Sequence, residues 1–283
     1  MSAEVLLALG CALGEGASAV DSSSFWFVDI RAGRVHFGSI DGSTSVAAKF
    51  NHTVSAAVPT TTGQVMVAGQ RTVTIIDEAR TALEVPETHD DVRLNDGKAD
   101  PAGRFVVGSM AEPVRASAGS LWSISNGHCS KIVDDVTISN GLCWSADGTT
   151  MFYIDTPTGR VDAFDYDVST GSVTGRRTVV TIDAALGAPD GMTIDSEGGL
   201  WVALWGGSAV HRYLAGRLDH VIGVPTPFVT SCTFVGTKLV MTTAREPGPD
   251  HALAGHVFIA ETGIKAPLPH IVDRNLVFGP GEH

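Results

Sequence analysis

Two stretches lying far apart in the chain read almost alike: Val28-Asp29-Ile30-Arg31-Ala32-Gly33-Arg34-Val35 and Ile154-Asp155-Thr156-Pro157-Thr158-Gly159-Arg160-Val161. Each has an Asp after an apolar residue, a short Gly-containing turn, and then Arg-Val. That is the signature of a β-hairpin, and its repetition indicates one unit copied around a ring. Downstream of the second copy, Val161-Asp162-Ala163-Phe164-Asp165-Tyr166-Asp167 alternates apolar with acidic residues, as a half-exposed strand does. Upstream of each copy lies a short apolar run with a polar or Gly residue before it, at 24–29 and 148–155. Similar runs occur at 63–68, 103–108, 199–203 and 236–241. Their spacing is roughly 40 to 46 residues, the period of propeller blades, and no strong helical periodicity appears. The 283 residues divided by this period give about six units. The expected fold is all-β: a six-bladed β-propeller of four-stranded antiparallel blades around a central channel, with residues 1–283 as one domain.

Composition agrees. Hydrophobic content is 43%, charged residues are 18%, and there are 32 glycines, with no long polar linker. A net charge of −12 argues against a nucleic-acid partner, which calls for a basic face. Cys11, Cys129, Cys143 and Cys232 form no C-x-x-C pair, and a large domain needs no disulfide staples, so reduced thiols in a cytoplasmic protein are expected. The apolar run Val5–Leu9 follows Glu4 with no Lys or Arg before it. It is too short for a signal or membrane segment and reads as a first strand. No membrane partner is expected, and the protein is read as a monomer or weak homodimer.

Motifs for serine hydrolases, P-loop nucleotide enzymes and H-E-x-x-H zinc enzymes are missing. What remains is a set of polar clusters in the expected connections between strands: Leu13-Gly14-Glu15-Gly16, Arg93-Leu94-Asn95-Asp96-Gly97-Lys98, Ile138-Ser139-Asn140-Gly141 and Ala188-Pro189-Asp190-Gly191-Met192. Taken singly, such polar-Gly pairs mean a turn or a bulge, and Lys98, which could point to the channel, reads more readily as a solvated turn lysine. In register with the blades, however, Glu15, Asn95, Asn140 and Asp190 lie at similar offsets ahead of the apolar runs. Equal offsets in equal blades bring side chains to one level of the channel. Carboxylates facing one another there are costly, and a divalent cation removes that cost; oxygen-only ligands suit Ca²⁺, Mg²⁺ or Mn²⁺.

At these residues the sequence resembles the regucalcin/gluconolactonase family, also called the senescence-marker-protein family, which includes a luciferin-regenerating enzyme. The resemblance rests on Arg93-Leu94-Asn95-Asp96-Gly97-Lys98 with Asp100-Pro101-Ala102-Gly103-Arg104, on Ile138-Ser139-Asn140-Gly141-Leu142, on 161–167, on Pro189-Asp190-Gly191-Met192 and on Thr230-Ser231-Cys232. It implies a metal-dependent hydrolase that opens a sugar lactone to the aldonic acid, with one divalent ion (Ca, Mg, Mn or Zn) polarising the carbonyl for attack by water. Glu15, Asn140 and Asp190 would hold the ion, with Asp190 also the general base. As a free aspartate titrates near 4, Asp190 is expected to be ionised at neutral pH. Arg93 and Asn95 would bind the substrate's hydroxyls. Two departures stand out. Glu15 lacks the Pro and Trp that usually follow the first Glu. After Gly108-Ser109-Met110-Ala111, where relatives carry two acids, this chain has Glu112 and then Pro113. Glu112 is kept as a candidate substrate contact. The alternatives are a non-catalytic calcium-binding propeller and a hydrolase of a non-sugar ester or lactone. Trp144 and Trp201 are expected in the core, and Trp205 at a pocket.

Overall fold

The two look-alike stretches are both hairpins. In the computed structural model, which describes residues 1–76, 82–245, 251–267 and 269–279, strand Ser24–Asp29 pairs antiparallel with Arg34–Ser39, and Thr150–Asp155 pairs with Arg160–Asp167. Gly33 (φ 62°) and Gly159 (φ 65°) supply the left-handed residue before each Arg-Val. An L side chain adopts that conformation at a cost.

The Asp of each copy has a structural task. Asp29 accepts the backbone N–H groups of Ala12 (3.0 Å) and Leu13 (3.1 Å), and Asp155 accepts those of Thr137 and Ile138, the latter at 2.8 Å. Both carboxylates are buried. Each therefore ties down the chain immediately before an innermost strand, Gly14–Ala19 in one blade and Ser139–Trp144 in the other. The strand carrying Glu15 and the strand carrying Asn140 are held by the same device. Replacing Asp155 with Ala leaves two partly buried N–H donors without a partner. It is expected to cost about 1–3 kcal/mol, read as a lower urea midpoint at unchanged m.

Six four-stranded antiparallel sheets surround the channel. Five are built from four consecutive strands. The sixth takes Val229–Val235, Lys238–Thr243 and Val257–Glu261 from the end of the chain and Glu4–Leu7 from its beginning as the outermost strand. The apolar run near the N-terminus is thus a strand, as expected, and it closes the ring by joining the two ends of the chain in one blade. All six apolar runs of the sequence are the second strand of a blade. These strands are buried on both faces: Phe25 and Phe27 pack with Val240 and Val257 of the sixth blade, and Val202 and Leu204 pack with Ile154 and Val161 of the fourth. Among the described residues the only α-helix is Arg274–Phe278, and no helix is long and apolar enough to cross a membrane. The four cysteines are free, and Cys11, Cys143 and Cys232 are buried. Trp144 and Trp201 are buried in the core, whereas Trp205 is half-buried against Phe228, with ring centroids 4.6 Å apart.

Candidate functional site

The polar clusters lie in strands and not in connections, a correction to the sequence reading. Glu15 is in the innermost strand Gly14–Ala19, Arg93 to Lys98 in Val92–Ala99, Asn140 in Ser139–Trp144 and Asp190 in Ala188–Ile194. Their side chains face the channel, where buried positions are polar, so the apolar alternation that marks a strand is lost.

Each of these strands is bulged at the same level. Three residue steps from Glu15 to Ser18 oppose two from Val28 to Trp26, and the same mismatch falls at Leu94–Gly97, Ser139–Leu142 and Pro189–Met192. A bulge leaves residues unpaired and re-aims their side chains. Asn95, Asn140 and Asp190 take the same place in their bulges. Glu15 stands one position earlier, and its blade has Gly16, at φ 61°, in that place. The glycines after Asn140 and Asp190 have a further reason. A Cβ on Gly141 would lie 2.7 Å from the carbonyl oxygen of Asp190, and one on Gly191 would lie 2.7 Å from the Ser231 Cα. Only glycine lets adjacent innermost strands approach this closely.

Hydrogen bonds run between blades around the throat. Asn95 Nδ2 donates to Asn140 Oδ1 (2.9 Å) and to the Ser139 carbonyl (2.7 Å). Asn140 Nδ2 donates to Thr156 Oγ1 (2.7 Å), whose hydroxyl donates to the Pro189 carbonyl (2.8 Å), next to Asp190. Thr156 was not singled out from sequence, although it follows Asp155 in the repeated hairpin motif. Arg93 donates through Nη1 to Asn95 Oδ1 (2.8 Å) and to the Leu94 carbonyl (3.0 Å), and through Nε to Glu112 Oε2 (2.7 Å). Arg93 is buried, while the Glu112 side chain is half exposed. Glu112 therefore stands at the rim and holds the guanidinium from outside.

Glu15, Asp96 and Asp190 are all more than nine-tenths buried. Burial, and then the Asp96 charge, push the Glu15 carboxyl up to about 8, against the pull of the Gly16 N–H and of Arg93. Burial followed by the charges of Glu15 and Asp96 hold Asp190 well above the usual carboxylate range. In the metal-free channel Asp190 is thus not the ordinary carboxyl that its residue type implies. Asp190 Oδ1 and Asp96 Oδ2 are buried without a hydrogen-bond partner. Orphaned carboxylate oxygens facing fellow carboxylates fit a divalent cation, and the surrounding donors are all oxygen, as hard cations prefer. Among the described residues no group of three or more His, Cys, Asp or Glu side chains is drawn together as a finished ligand cluster. The candidate set is two carboxylates and one carboxamide.

Lys98 is not a solvated turn lysine. It lies on the strand Val92–Ala99, and its ammonium donates to the Met192 carbonyl. Near the far ends of the innermost strands, Lys98, Trp144 and Thr193 line a small cavity bounded by Pro267, Pro269 and His270, and none of the candidate site residues borders it.

Fold and site together define a class: a closed six-bladed propeller with a throat of buried oxygen donors on its axis. The chain belongs to the SMP-30/Gluconolactonase/LRE-like family, whose region matches residues 13–245. It is 37% identical over 252 residues to an uncharacterized protein of Sulfolobus acidocaldarius, covering 86% of this chain and 90% of that one. It is 34% identical to regucalcin of Homo sapiens over 289 residues, covering 94% and 97%. Among solved structures, a calcium-binding regucalcin of Agrobacterium tumefaciens superposes with TM-score 0.88 at 27% identity, covering 95% and 97%. A luciferin-regenerating enzyme superposes with TM-score 0.85 at 29% identity, covering 93% and 95%.

Proposed function

We propose that this protein is a metal-dependent hydrolase that opens a sugar lactone, an aldonolactone, to the aldonic acid. One observation carries the reading: the unpartnered Asp190 Oδ1 is buried next to the end of a hydrogen-bonded chain that leads from the Pro189 carbonyl through Thr156, Asn140 and Asn95 to Arg93. Glu15, Asn140 and Asp190 would hold the cation. Two carboxylates and one amide leave coordination positions free, and the Asn140 oxygen, already accepting from Asn95, keeps a second lone pair. When bound, the ion supplies the positive charge that polarises a lactone carbonyl and stabilises its developing oxyanion.

The chain's own groups do the rest. Asp190, in its ionised form, takes a proton from water as the water oxygen adds to the carbonyl carbon. The ring C–O bond then breaks, and the departing alkoxide oxygen takes up the proton. Arg93 and Asn95 hold the ring hydroxyls, so that the reacting carbon meets the water in one orientation. Glu112 acts through Arg93, fixing the plane of the guanidinium at the mouth.

The test is hydrolysis of a panel of aldonolactones in a pH-stat, before and after EDTA. Activity is expected to fall with metal removal and to return with Mn²⁺, Ca²⁺, Mg²⁺ or Zn²⁺, because oxygen sites discriminate modestly among such ions. Full activity after verified removal of all metal overturns the mechanism. The name of the Agrobacterium relative, a calcium-binding protein, supports a second reading, a binding propeller without turnover. Metal binding with no hydrolysis of any lactone would favour it.

A further inference from the structure

We infer that Asp96 and Lys98 set the charge of the throat to that of one divalent cation, with Asp96 a third buried carboxylate of the channel that supplies no ligand atom; the inference rests on the metal reading above. Asp96 lies in the bulge of the strand Val92–Ala99 and is 5% exposed. Its Oδ1 accepts the Gly97 N–H at 2.8 Å, and its Oδ2 has no partner. Lys98 is two residues further along. Asp96 is itself unpaired in the bulge, and regular pairing resumes with Gly97 opposite Val107 and Lys98 opposite Val106; the Lys98 ammonium reaches across to the Met192 carbonyl, two residues past Asp190.

The charges inside the throat can be assigned one by one. Arg93 is matched by Glu112 at the rim. Glu15, Asp96 and Asp190 are negative when ionised, and Lys98 offsets one of them. Two negative charges remain, which a single divalent ion neutralises. A purely structural Asp96 would not need its second oxygen, since a carboxamide could accept the Gly97 N–H equally well. A buried carboxylate oxygen without a donor is costly unless a cation stands nearby. Asp96 belongs among the charges that Glu15 and Asp190 feel, and Lys98 among those that Asp96 feels. Groups around a metal that supply no ligand atom commonly govern its affinity 10- to 100-fold.

The experiment is calorimetric titration of the EDTA-stripped, full-length protein with Mn²⁺, with circular dichroism and thermal unfolding to confirm the fold of each variant. Asp96→Asn keeps the shape and the Gly97 hydrogen bond and removes the charge. It is expected to weaken Mn²⁺ binding by about 10- to 100-fold. Lys98→Met alone is expected to tighten binding, and it reads the same balance without touching Asp96. The double variant Asp96→Asn/Lys98→Met restores two net negative charges and is expected to recover most of the lost affinity. A folded Asp96→Asn that binds Mn²⁺ like the wild type overturns the inference, as does a Lys98→Met that binds no more tightly. A double variant as weak as Asp96→Asn also overturns it. Wild-type protein that binds no Mn²⁺ fails the metal reading itself, a result distinguishable from all of these.

Discussion

Asp190→Ala is expected to lose about 10²–10⁴-fold in kcat for lactone hydrolysis, the range for removal of a general base, while the propeller stays folded. The Asp190 Oδ1 makes no hydrogen bond that the fold would miss. The sign of the stability effect follows from the direction of its pKa. Burial, Glu15 and Asp96 raise the Asp190 value above that of the unfolded chain. A raised carboxyl adds stability below its unfolded value, and that contribution is lost as pH rises toward the folded one. At neutral pH, metal-free wild type therefore carries a penalty that Asp190→Ala relieves, and near pH 4 the relief shrinks. Divalent ions should raise the melting temperature of the wild type by mass action and leave that of the variant unchanged. Thermal melts at two pH values, with and without Mn²⁺, check all of this. A variant that is folded, metal-responsive and fully active would place the site elsewhere.

The fold was legible where a strand has one kind of environment. The second strands of the blades are buried on both faces, so runs such as 103–108 and 199–203 stand out, and their spacing counts the blades. Outer strands such as Thr44–Lys49 are almost wholly exposed and carry no apolar signal. Innermost strands are buried yet polar on the channel side, so Arg93-Leu94-Asn95-Asp96 reads as a connection when it is a bulged strand. The same bulges explain why similar offsets brought Asn95, Asn140 and Asp190 to one register position and missed Glu15 by one. The Asn-Gly and Asp-Gly pairs were legible as bulge signals. The second reason for their glycines, the close approach of the next blade, depends on contacts between strands far apart in sequence. Asp190 shows the limit most clearly: its residue type gave an ordinary acid, whereas its shifted pKa depends on burial in the channel and then on Glu15, more than half the chain away.

Arg93→Ala is expected to lower kcat/KM for a polyhydroxylated lactone by about 10- to 150-fold and to leave a lactone without hydroxyls nearly unaffected. A hydrogen bond to a charged group contributes about 1.5–3 kcal/mol, which sets that range. The geometry sharpens the comparison. Arg93 is held from two sides, by Asn95 Oδ1 at 2.8 Å and by Glu112 Oε2 at 2.7 Å. Removing it frees Asn95, whose amide also donates to Asn140, so damage to the metal site would slow both substrates alike, whereas loss of hydroxyl binding slows only the sugar lactone. Glu112→Ala gives a second handle: it spares the throat and releases only the guanidinium Nε, so a smaller loss of the same selectivity is expected. Pro113 follows Glu112 where relatives carry a second acid, which removes one acceptor for a sugar hydroxyl. Hexono- and pentonolactones compared side by side should therefore show no strong preference for glucono-1,5-lactone. A clear preference for it would mean that Glu112, turned from Arg93 toward the substrate, has taken over the missing contact, and Glu112→Ala would then abolish that preference.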